Sequence, residues 1–474
     1  MDVKQQEHSN KSKIKITLKQ VCLIFIYRLL FFPVLFSLLP YYLLRMRRRG
    51  GYRAHFCHRF GWVPRATKAT SPVWIQAVSV GELEALHPLF IALQQKNIPV
   101  YLTTTTSTAF RILEKKYQKI VDGFGYFPLD FWCFSACAWK RIQPRAILLM
   151  ESELWPEHLF QAAKRSVPVY LINGRCSDKT FSRYRLCLPL ARSIFGFLTK
   201  IFSVSAIDTQ RFQQLCPPSV PIVEVGNIKI DAALQNFQTN TSEISRKELG
   251  ENWPSARILL GASTWPGEEK MLIELFQKAK KDFPNLRLIL VPRHAERTKE
   301  LRSLLQSYSL SFCFRTNFTP NPEIYVVNTT GELRAFLPMA DFVFIGKSMP
   351  PHHGGQTPIE AAACGKPIVY GTHMENFSEI CNHLERLHGA VRCAHKKDLE
   401  RTIFHWLQHP EIANAYGQAA QQWLQTHQGA TQRIFNAIFR RQLNNVDKIK
   451  KLHLWQQGLK DNLDDLFDDF GDFE

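Results

Sequence analysis

Residues 73–82, Val-Trp-Ile-Gln-Ala-Val-Ser-Val-Gly-Glu, contain the pattern on which the predicted fold depends. An apolar run of strand length ends in Ser, Gly and Glu, which are typical of a turn that begins a helix. The pattern repeats, and strands are predicted at Val73–Ser79, Pro99–Thr104, Ala146–Glu151, Val167–Ile172, Ile201–Ser205 and Pro221–Val225. The helical patterns between them include Glu82–Gln95, Trp155–Lys164 and Asp208–Leu215. This spacing predicts βα units on a parallel sheet.

A second series of the same kind occupies the later part of the chain. Its predicted strands are Ile258–Gly261, Leu286–Val291, Glu323–Val327, Phe342–Gly346 and Pro367–Tyr370. Its predicted helices are Gly267–Asp282, Glu296–Ser307, Gly331–Met339, Ile359–Cys364 and Phe377–Leu387. The polar residues 235–242 separate the two series and predict a connection between two domains. Two doubly wound halves predict an α/β protein with a ligand cleft between them, at the carboxyl ends of the strands.

The composition favours a folded protein with an anionic partner. The chain has 474 residues, which suits two ordinary domains, and 45% of them are hydrophobic, so disorder throughout is excluded. The net charge of +19 suits nucleic acid, anionic lipid or a phosphorylated substrate. The 11 cysteines are odd in number and form no CxxC pair, which indicates reduced thiols in a cytosolic domain.

Residues 21–44 form an apolar stretch that is long enough to cross a bilayer as a helix. Arg28, Pro33 and Pro40 within it instead favour a kinked segment that lies partly in the membrane interface. Basic residues flank both ends and leave the orientation open. No small-residue cleavage site follows the stretch, which argues against a signal peptide. The sequence therefore predicts a membrane anchor, with spanning and interfacial arrangements both open.

Glu82 follows the first predicted strand, at the start of a helix. A carboxylate at a strand exit could act as a general base toward a substrate hydroxyl. Alternatively, Glu82 is a first-turn glutamate that stabilises the helix dipole. The spacing by itself favours this second interpretation.

Three further charged residues follow other predicted strands of the first half. Glu151 and Glu153 come at one strand end and are expected on opposite faces of the chain. Such a pair is unfavourable unless a cation or a reaction uses it, although an N-cap role accounts for one of the two. Lys229 comes after the last strand before the linker, where it could offset developing negative charge or simply lie on the surface.

The second half contains residues suited to an anion. Arg293 ends a strand, where a guanidinium could contact a phosphate through two hydrogen bonds. Residues 346–360 form a Gly-rich strand-to-helix loop whose backbone N–H groups predict an anion cradle. The loop lacks the GKS or GKT ending of a Walker A motif, and the absence of G-x-G-x-x-G counts against NAD. His352 and His353 are adjacent rather than four residues apart, so a zinc site is not predicted.

Several segments, taken in their order along the chain, resemble the 3-deoxy-D-manno-octulosonic acid (Kdo) transferases of lipopolysaccharide biosynthesis. The resemblance covers about residues 20–440. The matching segments of the first half are Trp74–Glu82, Glu151–Pro156, Asn173–Ser177 and Gly226–Asp231. Those of the second half are Gly261–Thr264, Gly267–Glu269, Pro292–His294, Gly331–Leu333, Gly354–Glu360 and Gly371–Phe377.

This resemblance implies an inverting, metal-independent enzyme of the GT-B fold. In that fold two doubly wound Rossmann-like domains face a cleft, and here an N-terminal membrane-anchoring helix precedes them. The resemblance implies that Glu82 is the general base and that Glu151 and Lys229 stabilise the transition state. It places the CMP contacts on Pro292, Arg293, Gly331, Glu332, Leu333, Thr357, Pro358, Ile359 and Glu360.

One matching segment departs from the family's pattern. The family's loop reads Gly-Gly-His-Asn-Pro-Leu-Glu, whereas this chain has Gly354-Gly-Gln-Thr-Pro-Ile-Glu360. Gln356 and Thr357 replace an imidazole and an amide, so the family's side-chain contacts with the nucleotide are not carried over at these two positions. Backbone contacts need not change.

The resemblance also implies the reaction and its setting. A hydroxyl of a lipid A precursor attacks the anomeric carbon of CMP-Kdo as CMP leaves, so CMP-Kdo is a co-substrate and neither a cofactor nor a metal is expected. The basic surface and the anchor suit a phosphorylated lipid at an anionic membrane, at the cytoplasmic face of the inner membrane. The implied division is an anchor segment at 1–50, an acceptor domain at 51–232, a linker at 233–252, a nucleotide-sugar domain at 253–445 and an acidic tail at 446–474.

Two other classes of function stay open at this point. One is a GT-B transferase that uses a UDP-sugar on a lipid-linked acceptor, because Glu360 could equally bind the ribose of UDP. The other is a membrane-tethered nucleic-acid-binding protein, which only the net charge of +19 suggests. The chain has no recognition motif with interleaved aromatic residues, so no nucleic-acid partner is expected.

Overall fold

The computed structural model describes residues 16–49, 55–66, 71–239 and 244–440 of the protein. Residues 1–15 and the predicted acidic tail at 446–474 lie outside these ranges. The chain forms two compact units: the first runs as far as Lys229 and resumes at Gly429, and the second is Ile230–Gln428. Each unit contains a seven-stranded parallel sheet with helices, which confirms the predicted α/β class.

The sheet of the first unit is wound in two directions from its centre. Its strands are β1 Val73–Ala77, β2 Val100–Thr104, β3 Gly123–Tyr126, β4 Ala146–Met150, β5 Val169–Gly174, β6 Lys200–Ser203 and β7 Ile222–Glu224. Their order is β3-β2-β1-β4-β5-β6-β7, and β4 pairs with β1 in parallel. Such a reversal of winding leaves a crevice at the carboxyl ends of the two central strands. The loops that follow β1 and β4 therefore flank this crevice.

Helices connect these strands, and short polar side chains fix several helix starts. The helices are α1 Leu18–Arg49, α2 Val80–Ala85, α3 His87–Gln95, α4 Ser107–Ile112, α5 Trp132–Ile142, α6 Pro156–Lys164, α7 Asp178–Leu186, α8 Leu188–Phe195, α9 Ala206–Leu215 and α10 Ile228–Thr239. Ser79, Thr106 and Ser205 each accept a hydrogen bond from the backbone N–H three residues later. These caps satisfy amide groups that have no partner within the first helical turn.

The core of the first unit lies on both faces of its sheet. All five residues of β1 and of β4 are buried, as expected for parallel strands that helices cover on both sides. On one face, Leu83 and Phe90 pack with Ile434 from a helix formed by residues 430–440. On the other face, Trp139 and Leu159 belong to the second core cluster of this unit.

The first half of α1 is fixed to the first unit by polar contacts. Gln20 Nε2 donates a hydrogen bond to Ser193 O over 3.0 Å. Arg28 forms an ion pair with Glu157 through two hydrogen bonds of 2.7 and 2.8 Å, and the Glu157 side chain is fully buried. A buried acid needs such a partner, because an uncompensated charge in the interior is strongly unfavourable. This part of α1 is therefore a component of the folded unit.

The other face of α1 is apolar and exposed. Phe25, Leu29 and Phe36 are each 64% exposed. Residues Leu18–Ser37 are long and apolar enough to cross a membrane, which agrees with the predicted anchor by length and composition. Pro33 and Pro40 lie inside the helix, which runs without a break from Leu18 to Arg49.

The second unit repeats the doubly wound arrangement. Its strands are β8 Arg257–Thr264, β9 Leu286–Pro292, β10 Phe312–Phe314, β11 Ile324–Val326, β12 Phe342–Ile345, β13 Ile368–Tyr370 and β14 Ala390–Arg392. Their order is β10-β11-β9-β8-β12-β13-β14, so the winding reverses between β8 and β12. Its helices are α11 Glu268–Ala279, α12 Thr298–Gln306, α13 Leu333–Phe336, α14 Ile359–Ala363, α15 Ser378–Arg386, α16 Lys396–Gln408 and α17 Pro410–His427. Two apolar clusters, one containing Trp253 and the other Trp406, form its core.

Three observed strands are absent from the sequence prediction, and all three lie at sheet edges. β3 reads Gly-Phe-Gly-Tyr, and glycine is disfavoured in strands. β10 and β14 have three residues each, as do the predicted strands β7, β11 and β13, so short length alone does not explain why they were missed. Pairing with a neighbouring strand, rather than local sequence, determines these edges.

Two predicted helices are also divided. The predicted helix Glu82–Gln95 forms α2 and α3, which meet at Leu86. Pro88 lies at the start of α3 and lacks the N–H group that a continuous helix would need. The predicted helix Gly331–Met339 contains only α13 and a 3₁₀ turn at Leu337–Met339.

The chain crosses from the first unit to the second within α10, which begins at Ile228 and extends into the predicted linker at 233–252. After Gly429 the chain belongs to the first unit again. There Arg433 Nε donates a hydrogen bond to Val225 O over 2.9 Å. The predicted nucleotide-sugar domain, by comparison, extends to residue 445. The domain boundaries as a set stay a prediction.

Gly346, at the exit of β12, lies too close to a neighbouring backbone to carry a side chain. A Cβ atom there would lie 2.3 Å from Ser263 O, so we expect Gly346→Ala to destabilise the protein by about 1–3 kcal/mol in urea unfolding. Gly81→Ala is the control, because a Cβ atom at this helical position meets nothing among the described residues within 4 Å. Alanine should stabilise α2 there by about 0.5–1 kcal/mol. Equal stability of the two variants would contradict the close approach.

Candidate functional site

Glu82 lies in the first turn of α2, directly after the exit of β1. Glu82 N donates to Ser79 Oγ over 3.3 Å, and the Glu82 carboxylate accepts hydrogen bonds from Val78 N and Ser79 Oγ, both at 2.9 Å. Ser79 and Glu82 therefore bind one another in the manner of a capping box. The helix-stabilising role that the sequence favours is supported by this geometry.

The same carboxylate lies in an environment that alters its acidity. Glu82 is 9% exposed, and burial raises its pKa above the ordinary value. The charge of Glu151 raises this pKa further, whereas the hydrogen bond from Val78 and the charge of Lys229 lower it. A carboxylate with a raised pKa is a better proton acceptor once it is ionised. Helix capping and a role as a base are therefore compatible.

Glu151 and Lys229 form an ion pair at the exit of β4. Lys229 Nζ lies 2.7 Å from Glu151 Oε1, and the two side chains are 28% and 26% exposed. Glu151 has a left-handed backbone with φ of 57°, a conformation that costs a non-glycine residue about 1–3 kcal/mol. The expectation that Glu151 and Glu153 lie on opposite faces is wrong, because residues two apart on a strand share a face. In addition, the strand ends at Met150, before either acid. The turn after β4, not the strand, directs both acids.

Lys229 is positioned by polar contacts at the start of α10. Lys229 N donates to Asn227 Oδ1 over 3.0 Å. Ile228 N donates to Oδ1 of the buried Asn173 in β5 over 3.1 Å. Gly226 has φ of 86°, in the region that favours glycine. The exits of β5 and β7 thus fix the backbone that carries this lysine.

Glu153 is an additional acid of the cluster, and the family resemblance assigns it no role. Its Oε2 accepts a hydrogen bond from Trp155 Nε1 over 3.0 Å. Burial raises the pKa of Glu153 to about 7, and the charge of Glu82 contributes to the same shift. A group with this pKa exchanges its proton near neutral pH. The Glu-x-Glu spacing at a strand end was the available sequence signal, but the fold was needed to show the proximity to Glu82.

The first unit thus brings together three carboxylates and one ammonium group. Glu82 comes from the exit of β1, Glu151 and Glu153 from the exit of β4, and Lys229 from the start of α10. The cluster can accept a proton from a hydroxyl and can place positive charge near developing negative charge. Perturbed carboxylates at the crevice of an α/β sheet are a recognised indication of a functional site.

In the second unit, Glu268 organises the loops at the equivalent reversal of winding. It is 3% exposed and lies at the start of α11. Its carboxylate accepts four backbone hydrogen bonds, from Trp265 N at 2.9 Å, Lys347 N at 2.8 Å, Ser348 N at 2.9 Å and Met349 N at 3.2 Å. Burial raises the pKa of Glu268, and these hydrogen bonds oppose the shift. One side chain therefore joins the exits of β8 and β12.

The Gly-rich loop after β12 is folded tightly on itself. Gly354 and Gly355 have φ of 99° and 69°, which a side chain would oppose. Three backbone hydrogen bonds close the loop, from Gly354 N to Glu375 Oε2 at 2.6 Å, from Gly355 N to Lys347 O at 3.1 Å and from Gln356 N to Gly346 O at 3.1 Å. Because these three amides have partners within the protein, a phosphate bound here would depend more on side chains than the predicted cradle assumes.

The residues expected to bind CMP lie at three strand exits of the second unit. Pro292 ends β9 and is followed by the exposed Arg293, whose N–H donates to Thr264 O over 3.0 Å. Gly331–Leu333 follows β11, and Thr357–Glu360 follows β12 and begins α14. Since β11, β9, β8 and β12 are consecutive in the sheet, these exits lie along one edge. Nucleotide binding at this edge stays a prediction.

Two of these expected contacts are paired with arginines that the sequence does not indicate. Glu332 Oε1 accepts from Arg315 Nη2 over 3.2 Å, and the hydroxyl of Thr329 also donates to Glu332. Glu360 Oε1 accepts from Arg334 Nε and Nη2 at 2.9 and 2.8 Å. The partners are 17 and 26 residues apart along the chain, so no local pattern reveals them. Each guanidinium group thus offsets the negative charge of a glutamate at the same edge.

Comparisons with known proteins cover most of both units. Residues 54–232 match the family model described as 3-deoxy-D-manno-octulosonic-acid transferase (kdotransferase). Residues 268–423 match the family model of glycosyl transferases group 1. Each unit therefore carries its own family match.

Two relatives align with nearly the whole of their own length. The chain is 30% identical over 397 residues to the 3-deoxy-D-manno-octulosonic acid transferase of Haemophilus influenzae, which covers 82% of this chain and 91% of that protein. It is 30% identical over 412 residues to the transferase of the same name from Bordetella pertussis, which covers 83% of this chain and 94% of that protein.

A solved structure, the S. aureus MnaA–UDP complex, shares the fold. The match covers 79% of this chain and 97% of the chain in that structure, with a TM-score of 0.52 and 14% sequence identity. Together with the two parallel sheets, this likeness supports the GT-B type of fold, which was expected from the sequence. With matches over both units, the chain belongs to the 3-deoxy-D-manno-octulosonic acid transferase family and is a glycosyltransferase.

Proposed function

We propose that the protein transfers Kdo from CMP-Kdo to a lipid A precursor with inversion, and that Glu82 is the general base. The observation that carries the proposal is the buried Glu82 carboxylate beside the Glu151–Lys229 ion pair. This cluster lies in the unit that matches the Kdo transferase family model. Family membership supports the substrates, and the local geometry supports the roles of the residues.

The proposed reaction is a single displacement. A hydroxyl oxygen of the acceptor forms a bond with the anomeric carbon of Kdo while the bond from that carbon to the CMP phosphate oxygen breaks. Glu82 accepts the hydroxyl proton, which its raised pKa favours. Each Glu82 oxygen already accepts one hydrogen bond, so the carboxylate is held in a fixed orientation with further acceptor capacity. No step is assigned to a metal.

Lys229 and the acids around it complete the proposed charge balance. The ammonium group of Lys229 offsets negative charge that develops during transfer, and Glu151 keeps this group oriented through their 2.7 Å contact. Burial raises the pKa of Glu153 to about 7 and the charge of Glu82 contributes to the shift, so the protonation of each acid affects that of the other. The strained backbone of Glu151 is consistent with a residue whose position serves a function.

Substitution of Glu82 tests its role as the base. Glu82→Gln keeps the size of the side chain but cannot accept a proton, so kcat should fall by about 10²–10⁴-fold with CMP-Kdo affinity nearly intact. Steady-state kinetics with CMP-Kdo and a tetraacyl lipid A precursor measures this change. The matched control is Glu84→Gln in the same helix, because Glu84 forms an exposed ion pair with Lys116.

Glu84→Gln should turn over at nearly the normal rate, since exposed ion pairs contribute about 0–1 kcal/mol. If Glu82 only stabilises the start of α2, Glu82→Gln should also retain its turnover and lose about 1 kcal/mol or less of stability. A folded Glu82→Gln enzyme that binds donor and keeps more than half of normal turnover would refute the assignment.

Substitution of Arg293 tests the proposed binding site for the donor nucleotide. Arg293 is exposed at the exit of β9, and we propose that it contacts the CMP phosphate together with the 354–360 loop. Arg293→Ala should weaken CMP binding by more than about tenfold, as expected for loss of a charge-assisted hydrogen bond. Isothermal titration with CMP measures the effect, and UDP in the same titration tests the donor class.

Lys299→Ala is the control for Arg293, because it removes an exposed positive charge from the neighbouring helix α12. It should leave CMP affinity unchanged. Equal CMP affinity in Arg293→Ala and wild type would show that the donor site lies elsewhere, and tighter binding of UDP than of CMP would contradict the proposed donor.

We further propose that α1 holds the protein on the cytoplasmic face of the inner membrane while lying in the plane of the interface. Gln20 and Arg28 each contact the rest of the first unit and fix one side of α1 to it, and the partner of Arg28 is the buried Glu157. A helix that crossed the bilayer would have to leave these contacts and expose Glu157. The apolar residues Phe25, Leu29 and Phe36 remain available to enter the lipid.

Substitution of exposed apolar residues tests this anchor while leaving α1 in place. The triple substitution of Phe25, Leu29 and Phe36 by Ser should shift the protein from the membrane fraction to the soluble fraction, because apolar burial in the interface is lost. A control triple substitution, Leu186→Ser, Ile207→Ser and Phe318→Ser, removes exposed apolar side chains elsewhere. Sedimentation of the α1 variant with membranes to the same extent as the control would argue against the interfacial helix.

A further inference from the structure

Two loops of the second unit bring two imidazoles and a carboxylate together. Among the described residues, His353, His373 and Glu375 form the one group of three metal-ligating side chains whose ligand atoms lie within 4.8 Å of one another. His353 Nδ1 lies 3.1 Å from His373 Nδ1, which lies 3.0 Å from Glu375 Oε1. His353 comes from the loop after β12, and the other two come from the loop after β13.

Neutral imidazoles do not satisfy these contacts together. A neutral imidazole carries a proton on only one ring nitrogen. If His353 Nδ1 donates a hydrogen bond to His373 Nδ1, then His373 Nδ1 carries no proton. It then has nothing to donate to the Glu375 carboxylate that it faces. If His373 Nδ1 carries the proton, Glu375 and the lone pair of His353 compete for it. A cation between the three atoms is attracted by all of them at once.

The size of the cluster suits a transition metal. The three ligand atoms are separated by 3.1, 3.0 and 3.8 Å. Ligands about 2.0–2.1 Å from a tetrahedral zinc ion are about 3.3 Å apart, and two imidazoles with one carboxylate are a known zinc ligand set.

The backbone around the cluster is already fixed. Glu375 Oε2, the second carboxylate oxygen, accepts from Gly354 N over 2.6 Å. His373 N donates to Ser348 O over 3.0 Å, and Asn376 N donates to Gly354 O over 3.1 Å. Hydrogen bonds that orient ligands in this way commonly support metal sites. The two loops would therefore need little rearrangement to bind an ion.

We propose that His353, His373 and Glu375 bind one divalent transition-metal ion, with Zn²⁺ as the best fit, that ties the loop after β12 to the loop after β13. The fourth position faces solvent, since the His353 side chain is 71% exposed and that of Glu375 is 56% exposed. The ion takes no part in Kdo transfer. It holds the turn at Gly354 and Gly355, next to the segment expected to contact CMP.

The adjacent pair His352 and His353 does not indicate this site, because only His353 belongs to it and the other two ligands come from the loop after β13. The chain has Gln356 where the family's loop has a histidine, so the imidazole near the glycine pair comes before it instead of after it. Of the three ligands, His373 and Glu375 lie in a segment that matches the family, and His353 directly precedes the glycine pair of the loop that departs from it.

Zn²⁺ binding to the detergent-solubilised full-length chain, untagged and freed of metal with a chelator, tests the proposal. Competition with a chromophoric zinc chelator should show a site of one Zn²⁺ per chain. His353→Ala should weaken this binding by more than about tenfold, at least the effect of losing a group that merely orients a ligand. Glu375→Gln should do the same. His353 is the most exposed of the three ligands, so its substitution leaves packing undisturbed.

His352→Ala is the matched control, because His352 Nε2 contacts Pro266 O at 2.8 Å and is not part of the cluster. It should bind Zn²⁺ as the wild type does. Zn²⁺ affinity that is equal in wild type and His353→Ala, or that falls equally in His352→Ala, would overturn the proposal. Failure to bind one Zn²⁺ per chain would also overturn the proposal. The close approach of His353 and His373 would then reflect hydrogen bonding or protonation of the histidines alone.

Hydrogen exchange measures whether the ion joins the two loops. Added Zn²⁺ should slow amide exchange in both 350–356 and 371–377 of the wild type, and it should have no such effect in His353→Ala. Protection of neither loop in a protein that binds Zn²⁺ would place the ion elsewhere and overturn the proposal. Circular dichroism and thermal unfolding of each variant, measured in parallel, confirm that it is folded.

Discussion

The pairing of β4 with β1 is the constraint on which the candidate catalytic site depends. Because the chain returns to the centre of the sheet after building β2 and β3, two strands distant in sequence end side by side. Their exits carry Glu82 and Glu151, which are brought within electrostatic range although the two positions are 69 apart in the sequence. The same reversal between β8 and β12 in the second unit collects the loops expected to bind the nucleotide.

Buried carboxylates hold these loops in place by accepting backbone hydrogen bonds. Glu268 binds four amides from the exits of β8 and β12. Asp130 accepts hydrogen bonds from Glu157 N and His158 N at the start of α6, and it also accepts one from the Tyr27 hydroxyl of α1. The apolar helix α1 is thereby linked to the segment that directly follows the acids of β4. Each acid gains partners that offset the unfavourable burial of its charge.

Sequence patterns succeed here where burial on both faces of a strand leaves a continuous apolar run. The central strands β1, β4, β8 and β9 are of this kind, and each is predicted within a few residues of its observed bounds. The short edge strands β3, β10 and β14 have no such run and depend on their neighbours. Among charged residues, the pattern indicates those at strand exits, but it gives Arg315 and Arg334 no role because their partners are distant in the chain.

The α/β class, the apolar N-terminal helix and the strand exits at which Glu82, Glu151 and Lys229 lie could be predicted from local sequence, because strand length, apolar periodicity and helix-start residues are local properties. Which of these charges meet depends on the folding of distant segments against one another. The tertiary structure joined Lys229 to Glu151, placed Glu153 near Glu82 and brought His353 to His373 and Glu375. Such contacts depend on strand order and on left-handed turns such as that at Glu151. These features arise from long-range pairing, and no short segment of sequence specifies them.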